Sequence, residues 1–312
     1  MPKIMVALAT YNGERYLVEL LESLAKQTRT PEKIFAVDDA SKDATVQILE
    51  SFKGLPMELI RQGQNRGVTA NFSTAIEAAL RECSDEDFIA LADQDDVWLP
   101  EKLEILEREI GNADLVFGDA EVIDGEGKVI AASWRQFANL EADLSLRERI
   151  LARCNVSGCM SLCRVPLVKK ALPFPPEAFV HDEWLSLLAT LGNGVKSLKA
   201  KVIRYRIHSG NTIGVGEHNL CMSEILRRST QKAKAFRSEP RLKLGLEDQK
   251  FLDRWLLHLE KTTTGFLNPG EFPWVFKNRH VLFKKGSAFK TAERVLFSCA
   301  GLKFAKIFFG KS

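Results

Sequence analysis

The chain has 312 residues, 45% of them hydrophobic and 27% charged, which is enough apolar material for a sizeable core and excludes a disordered chain. That length predicts one large domain with an appendage, or two domains. The formal net charge of +3 hides an asymmetry, because residues 225–312 hold 19 Lys/Arg against 7 Asp/Glu while residues 1–224 hold 25 against 34. An acidic body suits cations and a basic end suits an anionic surface. No nucleic-acid-reading motif accompanies the basic end, so nucleic acid is not expected as a partner.

The six cysteines are too sparse for a disulfide framework, and Ile4 to Ala9 is too short for the core of a secretion signal. A reducing, cytoplasmic setting is therefore expected. Cys154, Cys159 and Cys163 form the tightest cysteine group, but Val156, Met160 and Leu162 between them read as buried strand. Small core residues are expected there rather than a metal centre.

In chain order, Ile4 to Ala9 reads as a strand, Asn12-Gly13 as a turn, and Leu17, Leu20, Leu21 and Leu24 as one helix face. Ile34 to Val37 is a second strand, with Ser41 as the expected cap of a helix bearing Val46, Leu49 and Phe52. Met57 to Ile60 is a third strand, and a helix carrying Phe72, Ile76, Ala79 and Leu80 follows it. Phe88 to Ala92 is a fourth strand and Leu115 to Phe117 another. Strands alternating with amphipathic helices predict an α/β fold, a doubly wound, mainly parallel sheet with helices on both faces. Beyond residue 215, Leu226, Phe236, Phe251, Trp255, Leu256 and Leu259 predict a helical, basic C-terminal region.

Ligands of such folds bind beyond the C-terminal ends of the strands, which singles out the loops Thr10 to Glu14, Asp38 to Asp43, Gln64 to Asn71 and Asp93 to Trp98. The last follows the fourth strand directly and crowds Asp93, Asp95 and Asp96 together. Like charges that close repel unless a cation joins them, and hard carboxylate oxygens suit Mg2+ or Mn2+ completed by phosphate oxygens. Capping of a helix near Pro100 by Asp95 or Asp96 explains the same residues without a metal. Of Asp38 and Asp39, one can accept a hydrogen bond from a base N–H or ribose hydroxyl, and a cap would equally explain one of the pair.

Ala9-Thr10-Tyr11-Asn12-Gly13, Val37-Asp38-Asp39-Ala40-Ser41-Lys42-Asp43, Asn65-Arg66-Gly67 and Asp93-Gln94-Asp95-Asp96 together resemble family 2 glycosyltransferases in order and spacing. The likeness continues through His181-Asp182-Glu183-Trp184 and Tyr205-Arg206-Ile207-His208-Ser209-Gly210-Asn211-Thr212, and so covers roughly residues 3–215. Asp93 to Trp98 is similar to the rhamnosyltransferase-like branch, which implies dTDP-rhamnose as donor and bacterial surface polysaccharide as product.

The resemblance implies a GT-A fold in residues 1–215, with a nucleotide-sugar part over 1–115 and an acceptor part over 116–215. It leaves the C-terminal region, 216–312, unexplained. It implies Asp93 and Asp95 at the metal and Asp182 as the base, with Glu183 second. A helix cap ahead of Trp184 is the plain alternative for Asp182. Arg206 and His208 are expected at the diphosphate or in the metal shell. Tyr11 can stack on the pyrimidine while Thr10 and Asp39 bond its edge, with Asn12, Glu14 and Arg66 completing the nucleotide side. Trp98 could stack on sugar or anchor its loop. The expected partners are a dTDP- or UDP-sugar and a saccharide or lipid-linked acceptor.

A sugar nucleotidyltransferase would normally open with a glycine-rich, Arg-containing loop, whereas Thr10 to Arg15 lacks repeated glycines. A non-catalytic carbohydrate-binding protein would not need Asp93, Asp95 and Asp182 intact. From Val281 to Phe309, Phe283, Phe289, Phe297, Phe304, Phe308 and Phe309 interleave with Lys284, Lys285, Lys290, Lys303 and Lys306. That pattern is expected to lie on the inner face of the cytoplasmic membrane rather than to span it; packing on the catalytic domain is the alternative.

Overall fold

The apolar runs become strands of one sheet in the computed structural model, which describes residues 1–175, 180–210, 222–265, 268–283 and 299. The chain divides into two compact units: residues 1–143 with 154–211, and residues 144–153 with 212–312.

In the first unit the strands are β1 (Ile4–Thr10), β2 (Lys33–Asp38), β3 (Met57–Arg61), β4 (Phe88–Asp93), β5 (Val97–Trp98), β6 (Leu115–Ile123), β7 (Val129–Ala131), β8 (Ser161–Arg164) and β9 (Val195–Arg206). Their order is β3-β2-β1-β4-β8-β6-β9-β5, with β7 paired to β6. The half from β3 to β4 is wholly parallel. Beyond it β8 runs antiparallel to β4 and β6, while β6 and β9 pair in parallel. The sheet is thus mixed, its parallel half lying where strand and helix alternate most regularly in the sequence.

The helices of this unit are α1 (Leu17–Ala25), α2 (Thr45–Ser51), α3 (Val68–Leu80), α4 (Lys102–Glu109) and α5 (Trp134–Phe137), followed after the crossing into the second unit by α7 (Val165–Ala171) and α8 (His181–Leu191). Ile4, Val6 and Leu8 of β1 pack with Leu17, Leu20 and Leu24 of α1 and Leu103 and Leu106 of α4. The residues between them must face the other way, and α3 covers β1 and β2 there with Phe72 and Ile76 fully buried. Every residue of β1 is buried, as a strand covered on both faces requires.

The second unit contains α6 (Leu146–Ile150), α9 (Met222–Ser238), α10 (Leu246–Thr264), α11 (Phe272–Lys277) and α12 (Arg279–Leu282). Phe236 of α9 and Phe251, Leu252 and Leu259 of α10 are buried, which accounts for the expected helical region. The buried carboxylate of Glu271 joins α10 to the start of α11, accepting from Arg254 (2.7 Å) and Lys261 (2.8 Å) and lying 3.1 Å from His258 Nδ1. Among the described residues no helix is long and apolar enough to cross a membrane. Most of the basic aromatic stretch from Val281 onward lies outside the described residues.

Candidate active site

Four chain segments meet at the C-terminal ends of β1, β2 and β4. Gln94 clips the β4 loop to the β1 loop, its Oε1 accepting from Tyr11 N at 2.8 Å and its Nε2 donating to Tyr11 O at 2.9 Å. A Cβ added at Gly13 would lie 2.3 Å from Gln94 Oε1, so a larger residue there would displace the Gln94 side chain from this clip. The β1 loop is also laced to the β2 loop: Asn12 N donates to Ser41 Oγ, Asn12 Oδ1 accepts from Lys42 N, and Glu14 Oε2 accepts from Ala44 N, each at 2.8 Å.

This lacing changes the roles expected of several residues. Thr10 is 1% exposed and its hydroxyl reaches Val37 O and Asp38 Oδ1, so it holds two strands together instead of meeting a base edge. Asn12 and Glu14 spend side-chain oxygens on loop N–H groups, which makes them scaffolding for the mouth. Ser41 bonds Asp38 rather than capping a helix; α2 begins at Thr45, whose N–H is taken by Asp43 Oδ1.

Asp39 is 2% exposed, and its two oxygens accept from Arg66 N and Gly67 N, both at 2.8 Å. Gly67 stands at the start of α3 with φ of 85°, a conformation that favours glycine. The carboxylate thus fixes the third loop beside the first, leaving the exposed Tyr11 ring and the exposed Arg66 side chain facing outward.

The acidic loop divides its carboxylates between two settings. Asp95 Oδ2 lies 2.9 Å from His208 Nε2, with both side chains partly open to solvent. Asp93, Asp96 and Cys159 each bring a ligand atom within 4.8 Å of one another. Asp96 is 1% exposed; its Oδ1 accepts from Arg206 N at 3.0 Å, while its Oδ2 is buried and has no hydrogen-bond partner among the described residues. Loss of water, then the neighbouring charge of Asp95, pushes the Asp93 carboxyl up to about 7. The same two causes, with Asp93 added, hold Asp96 well above the usual range. Helix α4 has no side-chain cap, so neither Asp95 nor Asp96 is engaged as one.

Beneath this loop Lys102 is fully buried, donating to Cys159 O at 2.6 Å and lying 3.0 Å from the Trp98 ring centroid. Burial holds its ammonium well below the usual lysine range. Trp98 is 2% exposed and anchors the loop rather than presenting a sugar-stacking face. Arg206 also departs from expectation: it is 2% exposed, donates to Asp95 O at 2.8 Å, pairs with Glu19 and covers the Tyr16 ring. Its guanidinium braces the acidic loop from behind rather than opening toward a diphosphate.

Asp182 lies in the first turn of α8, whose cap position is Val180, so it is not the cap. Its Oδ2 accepts weakly from Gly158 N at 3.4 Å, and its charge contributes to the raised pKa of Asp93. It keeps some exposure whereas Glu183 is buried, which favours Asp182 of the two acids. Asn211 and Thr212 lie outside the described residues.

Sequence reasoning counted Asp96 in the acidic cluster but missed Cys159 and Lys102. Cys159 was expected among core residues, and it is indeed 0% exposed, but its short 3-10 turn, Gly158–Met160, runs under the acidic loop. The burial of Lys102 shows in the sequence only as its place one helical turn before the apolar Leu106 on the inward side of α4. The donor set at the mouth fits a hard divalent ion: the Asp95 carboxylate lies beside the His208 imidazole, and the like charges of Asp93 and Asp95 stand close together, an unfavourable arrangement without a cation.

The profile of Glycosyl transferase family 2 matches residues 5–172. The chain is 35% identical over 126 residues to the uncharacterized glycosyltransferase YwdF of Bacillus subtilis, covering 40% of this chain and 45% of that protein. It is 25% identical over 215 residues to the Escherichia coli UDP-Glc:alpha-D-GlcNAc-diphosphoundecaprenol beta-1,3-glucosyltransferase WfgD, covering 65% of this chain and 77% of that one. The match thus spans less than half of YwdF's length. In fold it is similar to Staphylococcus aureus TarS 1–349 in complex with UDP-GlcNAc, with TM-score 0.59, 20% identity and coverage of 90% of this chain and 80% of that one. The mannosyltransferase PcManGT from Pyrobaculum calidifontis, in complex with GDP-Man and Mn2+, gives TM-score 0.52 at 19% identity, covering 100% of this chain and 88% of that one. With the family profile extending over more than half of its length, the chain belongs to glycosyl transferase family 2 and carries its GT-A fold.

Proposed function

We propose that the chain transfers a sugar from a nucleoside-diphosphate donor to a hydroxyl of a saccharide or lipid-linked saccharide, with inversion, in bacterial surface polysaccharide synthesis. The observation that carries this reading is the convergence at one sheet edge of the Asp95–His208 pair, the Asp93–Asp96 pair and the half-open Asp182.

Asp95 and His208, with Asp93 behind them, would hold Mg2+ or Mn2+, which when bound neutralises the charge developing on the departing diphosphate. Tyr11 and Arg66 face the nucleotide, with Asp39 positioning Arg66 through its backbone. The acceptor hydroxyl attacks the anomeric carbon as the bond to the diphosphate breaks, and its proton passes to the Asp182 carboxylate. Attack opposite the leaving group gives a single displacement.

L-Rhamnose from dTDP-rhamnose is the narrower donor reading, supported by the string Asp93 to Trp98. UDP-Glc, the donor of WfgD, and UDP-GlcNAc, held by TarS, make UDP-sugars its first competitors. Thermal stabilisation by a panel of nucleotide sugars with Mn2+ tests both levels. A shift with one donor family, lost in Asp95→Ala, is expected. Stabilisation unaffected by Asp95→Ala would overturn the metal-diphosphate reading, and a preference for UDP-sugars over dTDP-rhamnose would overturn the rhamnose reading alone.

A further inference from the structure

Cys159 gives the buried end of the acidic loop a donor that Mg2+ and Mn2+ do not call for. Its Sγ and one oxygen each of Asp93 and Asp96 lie within 4.8 Å of one another. Asp96 is 1% exposed, its Oδ1 is taken by Arg206 N, and its buried Oδ2 has no hydrogen-bond partner among the described residues. An orphaned carboxylate oxygen beside a thiol and a second carboxylate is an incomplete coordination shell in its chemistry. Sulfur is a soft donor that selects zinc, cadmium or cobalt over magnesium. The resident ammonium of Lys102 is turned toward Cys159 O and the Trp98 ring.

We infer that Asp93, Asp96 and Cys159 form a binding site for a thiophilic divalent cation of the zinc class, distinct from the Asp95–His208 pair at the mouth. On coordination the Cys159 thiol releases its proton to solvent and binds as thiolate, with no change of oxidation state. Because Asp93 is drawn inward by such an ion, zinc inhibits where manganese supports turnover; that consequence alone rests on the transferase reading. Binding itself requires neither donor nor acceptor.

The test is cobalt(II) alone, titrated into the full-length chain without nucleotide and followed by absorption. A thiolate-to-cobalt charge-transfer band is expected in the wild type and in His208→Ala, and its absence in Cys159→Ser. Asp96→Asn is expected to weaken cobalt binding about tenfold or more, and Lys102→Met to tighten it by removing a competing charge. Absence of the band in the wild type, or its persistence in Cys159→Ser, would overturn the site. Should Cys159→Ser fail to fold, unchanged cobalt affinity in Asp96→Asn overturns it instead. Zinc inhibition that survives in a folded Cys159→Ser refutes only the inhibitory consequence.

Discussion

Loss of water and the nearby charge of Asp95 hold the Asp93 carboxyl at about 7, so a proton and a metal ion compete for it across neutral pH. Its folded pKa lies above its ordinary value of 3.8, so the native chain binds more protons than the unfolded one between roughly 4 and 7. Without metal, this group therefore lowers stability as pH rises through that window. A bound cation removes the penalty. Manganese affinity and the thermal stabilisation it confers are both expected to be larger at pH about 8 than at about 6, and Asp93→Asn to flatten the change. Calorimetric titration at the two pH values checks this; equal affinities at both would contradict it.

Two joints between elements carry stability through single carboxylates. Asp39 satisfies Arg66 N and Gly67 N where α3 begins, so Asp39→Ala leaves two donors without a partner and is expected to cost about 1–2 kcal/mol by urea unfolding. Glu271, 1% exposed, is taken up first by burial and then more than recovered by hydrogen bonds from Arg254, Lys261 and His258, which bring it down to about 2. A depressed folded pKa contributes stability above the unfolded value of 4.5 that is lost as pH falls toward about 2. Glu271→Gln is expected to destabilise the chain by about 3 kcal/mol near neutrality, with the gap to wild type closing below pH about 4.5. A gap independent of pH would rule out the charge as its source.

At this same scale the sequence was legible unevenly. β1, β2 and β4 announce themselves as short apolar runs before polar loops, and the strand-end rule led from them to the four loops. What stayed hidden is long-range: Cys159 meets Asp93 only because β8 inserts beside β4, and no local pattern states which strand a chain will return to. Thr10, Glu14 and Arg206 were misjudged for a related reason. A polar side chain at a loop can serve a ligand or another loop, and only the partner's position decides.

For the whole molecule, the charge asymmetry separates an acidic, catalytic-type unit from a basic helical one. Residues 281–312 concentrate Lys beside Phe, and the proposed contact of this stretch with anionic lipid follows from that composition. Removal of residues 281–312 is expected to release the protein from sedimenting anionic vesicles at low salt. Unchanged sedimentation would refute the contact.

The central claim is a division of labour in which Asp95 serves the donor's diphosphate and Asp182 serves the acceptor. Donor binding and sugar transfer measured side by side in Asp182→Asn test it most directly. The account predicts metal-dependent donor binding close to wild type with transfer reduced by about two to four orders of magnitude. Transfer at the wild-type rate in that variant would contradict it.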